Sequence, residues 1–107
     1  MDLRIKDRLI IPAMLPATNS FMDFNLKKSI VNKVAVTDSD KEFYKIEEHE
    51  DGRIQWDIQK DMETPLVVDF SKEELAYLTK TCETIAEESR PDDVWSVVEH
   101  IYNEANK

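Results

Sequence analysis

At 107 residues with a net charge of −9, the chain has the length of one domain, 1–107, and a charge that opposes non-specific nucleic-acid binding. A hydrophobic fraction of 41% supports a packed core, one glycine excludes a Gly-rich phosphate loop, and a single cysteine, Cys82, makes neither a disulfide nor a zinc site alone. No apolar run approaches the ~20 residues of a membrane span. The charged start Met1-Asp2-Leu3-Arg4 lacks a signal peptide's apolar segment, so a cytoplasmic chain with no membrane contact is expected.

In chain order, Asp2, Leu3, Arg4 and Ile5 alternate and predict a short edge strand or an extended arm. With Asp7 as N-cap, the run Arg8–Leu15 predicts a helix that Pro12 kinks and Pro16 ends, because a residue before proline is pushed out of the α region. Ser20 and Asp23 form a capping pair opening a helix to about Val34, with Leu26, Ile30, Val31 and Val34 on one face. Thr37 with Asp40 repeats the pattern. A short helix follows whose first turn holds Asp38, Asp40 and Glu42, where the dipole favours anions.

From Tyr44 the period becomes two. A three-residue loop, Glu50-Asp51-Gly52, with Gly52 left-handed, pairs Ile46 with Trp56 and Tyr44 with Ile58. A two-residue Asp51-Gly52 turn instead splits the apolar face, so the longer loop is predicted. Gln59–Thr64 reads as a loop and Pro65–Phe70 as a third strand. Ser71-Lys72-Glu73-Glu74 is a capping box, followed by the stripe Leu75, Leu78, Cys82 and Ile85. Arg90-Pro91-Asp92 breaks that helix. Val94, Trp95, Val98, Ile101, Tyr102 and Ala105 then make a second stripe, and the short connection predicts an antiparallel helical hairpin. The expected fold is α+β: an N-terminal three-helix unit, a small antiparallel sheet centred on the 44–58 hairpin in winged-helix-like order, and the C-terminal helical hairpin.

No Ser-His-Asp ordering, nucleophile elbow or phosphate loop is present, so neither an enzyme, a cofactor nor a small-molecule substrate is expected. His49 lies in Glu47-Glu48-His49-Glu50-Asp51, but strand alternation sends Glu47 and His49 to one face and Glu48 and Glu50 to the other. His100 and Glu104 at i, i+4 give two metal ligands without a third, so no metal site is expected. Cys82 sits on an apolar stripe, where a buried and inert thiol is expected. Trp56, Trp95, Tyr44, Tyr77 and Tyr102 read first as core.

The charge is uneven. Residues 1–36 carry six basic residues against three acids, and residues 37–107 carry eight against twenty. The acidic run Glu47, Glu48, Glu50 and Asp51 has no core role and suits a partner with a basic surface. In a winged helix the helix after the turn enters the major groove. Here that helix begins with Asp38, Asp40 and Glu42, which phosphates repel, leaving Lys27, Lys28 and Lys33 as the only nucleic-acid candidates.

The stretch Ile5-Lys6-Asp7-Arg8-Leu9-Ile10, closed by Met14-Leu15-Pro16, resembles a family of small uncharacterised proteins of tailed phages and prophages. The similarity continues through Leu26-Lys27-Lys28-Ser29-Ile30-Val31, the Val36-Thr37-Asp38 helix start and Gly52-Arg53-Ile54-Gln55-Trp56, spanning about residues 3–58. Pro12 and the acidic hairpin tip depart from the family's pattern. The resemblance implies a mobile-element origin and no catalytic residues. The function expected is therefore a non-enzymatic acidic protein-interaction module, one form being an inhibitor of a host nucleic-acid-binding protein. The alternatives are a winged-helix-like DNA-binding accessory or a self-associating phage assembly component.

Overall fold

A computed structural model describes all residues from Met1 to Lys107. In chain order the elements are β1 (Asp2–Leu3), α1 (Ile5–Met14), α2 (Phe21–Val34), α3 (Asp38–Phe43), β2 (Glu47–Glu48), β3 (Ile54–Gln55), α4 (Ile58–Glu63), β4 (Leu66–Val67), α5 (Lys72–Ile85) and α6 (Asp92–Ala105). The fold is α+β, with six helices and two small antiparallel sheets.

Three helix starts follow local capping chemistry. The Ser20, Thr37 and Ser71 hydroxyls accept from the N–H groups of Asp23, Asp40 and Glu74, serving donors that lack an intrahelical partner. The first helix differs from expectation: Asp7 is not its N-cap. Arg4 occupies that position, and the Asp7 carboxylate, one turn inside, accepts the Arg4 N–H at 2.9 Å. The Ile5 N–H is taken at 2.9 Å by the carboxylate of Asp61, far along the chain, so a tertiary acceptor lengthens the helix by a turn. The helix runs through Pro12 and stops at Leu15, which is extended before Pro16.

The hairpin has the expected register and a shorter extent. Glu47 pairs with Gln55 and Glu48 with Ile54, the His49 N–H donates to Arg53 O at 2.8 Å, and Gly52 carries φ +88°. Ile58, expected in the second strand, instead opens α4. Residues 59–64, expected as a loop, largely belong to that helix, because Asp57 caps it by accepting the Lys60 N–H at 3.1 Å. The third strand forms but does not extend the hairpin: β4 pairs with β1, Asp2 opposite Val67 and Leu3 opposite Leu66. The expected single sheet is thus two separate two-stranded ones.

The core is helical. Leu3 from β1, Ile11 and Met14 from α1, Ile30 and Val34 from α2, Leu78 and Cys82 from α5, and Val97 and Ile101 from α6 are all buried in one cluster with their neighbours. The α5 and α6 helices run antiparallel, the Cys82 thiol lying against Val98 and Asn106 reaching back to Thr79. No residue between Val34 and Val68 enters this cluster fully buried, and α3 buries no residue at all. The segment of α3, hairpin and α4 therefore lies outside the four-helix core of α1, α2, α5 and α6.

Candidate functional site

Two buried polar groups fasten that outer segment to the core. The Arg8 guanidinium donates from Nε to Val34 O at 3.0 Å, and from Nη2 to Ala35 O at 2.5 Å and Asp40 Oδ2 at 2.6 Å. Burial alone would raise the Asp40 pKa, but hydrogen bonds from Arg8 and Thr37 outweigh it and hold the carboxyl below its usual range. The second fastener is Asp61, which receives the Trp56 indole N–H at 3.1 Å as well as the Ile5 amide. Trp56 thus anchors the base of the hairpin. The Tyr44 hydroxyl, from the end of α3, donates to the Thr64 carbonyl.

Beyond that base the hairpin is solvated. Glu47, Glu48, Glu50 and Asp51 are all exposed. Asp51 is engaged within the turn, its carboxylate taking the Arg53 guanidinium at 2.6 Å and the Arg53 amide at 3.1 Å. Glu47, Glu48 and Glu50 have no cation within 4 Å. His49 meets Gln55 at 3.0 Å rather than a carboxylate. The tip is therefore a finger carrying three free carboxylates and one internally paired.

The three candidate lysines are not brought together as a phosphate-binding patch. Lys27 Nζ donates to Pro16 O at 2.7 Å, and Lys33 Nζ to Asp69 O at 3.0 Å and Glu74 Oε1 at 2.6 Å, leaving only Lys28 exposed with no polar partner. Glu74 is almost fully buried. Burial would raise its pKa, but the Lys33 ammonium and the Ser71 N–H pull it down to about 2. Two of the three lysines hold this chain's own backbone and acids.

Elsewhere the chemistry is quiet. Burial pushes the Cys82 thiol up to about 11, far from thiolate reactivity. His100 Nε2 meets Asp2 O at 2.9 Å, and Glu104 pairs with Lys107 at 2.9 Å, so the i, i+4 pair does not converge on one point. No group of three His, Cys, Asp or Glu side chains is placed to hold a metal ion. No helix is long and apolar enough to cross a membrane.

Two apolar surfaces were not anticipated. At the start of α2, Phe21, Met22 and Phe24 are 76%, 73% and 51% exposed. Their signal was present: Phe21 and Phe24 stand at i, i+3, out of phase with the half-buried Leu26 and the buried Ile30 and Val34. The second is a groove of about 460 Å³ between α5 and α6, floored by Cys82, Ala86 and Val98 with Trp95 and Tyr102 beside them. Tyr102, expected on the core stripe, is 40% exposed, and the buried position belongs to Val97. Comparison of the chain with family models, curated proteins and solved structures gave no match.

Proposed function

We propose that the chain is a non-enzymatic, acidic protein-interaction module of phage or mobile-element type, acting in the host cytoplasm, with the 47–55 hairpin as its recognition finger. The observation that supports this reading is the state of Glu47, Glu48 and Glu50. They are exposed, unpaired, and carried by a segment that lends no side chain to the four-helix core. Charges that stabilise nothing internally are free to steer and orient a cationic partner, and the net −9 adds a long-range attraction of the same sign. In its specific form the finger occupies a host protein's nucleic-acid groove, presenting carboxylates where phosphates lie.

A nuclease-treated pull-down from host lysate at low salt, read by mass spectrometry, tests the reading. The expected result is one basic, nucleic-acid-binding protein that elutes with salt. Binding unchanged at about 0.5 M salt contradicts it, since exposed charge pairs are screened within a few ångströms at that strength. Enrichment that vanishes with nuclease contradicts it too, and points to nucleic acid held through the Lys28 side of the molecule.

A further inference from the structure

The α5–α6 groove carries an inference independent of the hairpin. Trp95, Val98 and Tyr102 lie at i, i+3 and i+7 on α6, and Ala86 follows Cys82 by one turn across from them. Together they leave an apolar trough of about 460 Å³ open to solvent on the outside of the helical pair. Its rim is acidic. Glu83 from α5 and Glu99 from α6 both line it, both are exposed, and neither has a cation within 4 Å. The basic side chains nearest it in sequence are engaged elsewhere, Lys80 3.9 Å from Asp23 and Arg90 2.6 Å from Glu88, and the remaining lysine of the pair, Lys72, stands at the opposite end of α5.

An apolar floor between two free carboxylates, with an indole and a phenol face alongside, has a definite chemical complement. We propose that this groove is a docking site for a cationic amphipathic segment of a partner protein. An apolar side chain of that segment seats on Ala86 and Val98 between the aromatic rings. Lysines or arginines one turn to either side meet Glu83 and Glu99, and the rings of Trp95 and Tyr102 offer faces that attract the same cations. A second copy of this chain is the poorer occupant. Apposing two such faces brings the Glu83 and Glu99 carboxylates of both copies together, on molecules that each carry −9.

The test is a titration of the full chain with a synthetic Leu/Lys amphipathic helical peptide, followed by tryptophan fluorescence, with a Leu/Glu peptide of the same pattern as comparison. The Leu/Lys peptide is expected to shift the emission saturably and the Leu/Glu peptide to leave it unchanged. Glu83→Gln with Glu99→Gln is expected to weaken binding about tenfold, the worth of two exposed ion pairs together. Ala86→Arg, at an exposed position just past α5, places a cation in the trough and is expected to weaken binding at least as much. Neutralising the hairpin (Glu47→Gln, Glu48→Gln, Glu50→Gln, Asp51→Asn) is expected to change this affinity less than twofold, which keeps the groove and the finger distinguishable. Equal affinity in the groove variants, when their unfolding midpoints match the parent chain, overturns the proposal. So does an absence of saturable binding, or a doubling of mass in solution that Ala86→Arg abolishes, which assigns the face to a second copy.

Discussion

Arg8, 3% exposed, closes the end of α2 with its guanidinium and reaches Asp40 in α3, so one side chain satisfies two carbonyls and one carboxylate. Arg8→Met keeps the stem and removes all three bonds. A loss of about 3 kcal/mol is expected, as for breaking a buried pair from one side, and urea unfolding measures it. Glu74 contributes a stability that acid removes. Its carboxyl is held at about 2 against an ordinary 4.5, so it stabilises the fold fully above about 4.5 and loses that contribution as pH falls toward 2. Asp40, also held low, acts in the same direction. Glu74→Gln is therefore expected to lower the urea midpoint at pH 6 by the equivalent of about 3 kcal/mol and to leave it nearly unchanged at pH 2. An equal loss at both values contradicts this account. Lys45 adopts φ 53°, a left-handed backbone that a side chain disfavours, between α3 and the hairpin. Lys45→Gly is expected to raise stability by about 0.5 kcal/mol, the relief of strain exceeding the entropy that glycine adds to the unfolded chain.

Among the elements, those specified by neighbours in sequence could be read in advance, and those specified by distant partners could not. Ser20, Thr37 and Ser71 each meet an N–H three residues on, and all three helices begin where those residues stand. The hairpin register followed from one glycine and the alternation around it. By contrast, α4 has a local cap in Asp57, but Ile58 and Met62 face solvent and only Asp61 is buried, so it lacks the apolar stripe that marks a helix in sequence. Asp61 is buried because it serves Ile5 and Trp56, contacts that no local pattern encodes. The β1–β4 pair likewise joins segments more than sixty residues apart. For the surface, the acidic finger was legible because a charge run needs no tertiary knowledge. The α5–α6 groove was not, since whether Tyr102 or Val97 turns inward depends on how α6 is rolled against its neighbours. Ser71→Ala tests the local half of this picture: loss of the α5 cap is expected to cost about 1 kcal/mol in thermal or urea unfolding.

At the scale of the whole molecule, the packed helices and the charged finger divide the work. The core elements α1, α2, α5 and α6 bury the apolar residues, while the 36–65 segment holds to them through Arg8 and Asp61 and displays its carboxylates outward. Neutralising the finger is accordingly expected to leave stability within about 0.5 kcal/mol of the parent, as for exposed positions that make no buried contact. The measurement that bears most directly on the proposed function compares the parent chain with the Glu47→Gln, Glu48→Gln, Glu50→Gln, Asp51→Asn variant in the same nuclease-treated pull-down. The account predicts that the variant folds like the parent and loses the basic partner. A correctly folded variant that retains the partner at parental levels would show that the hairpin is not the recognition surface.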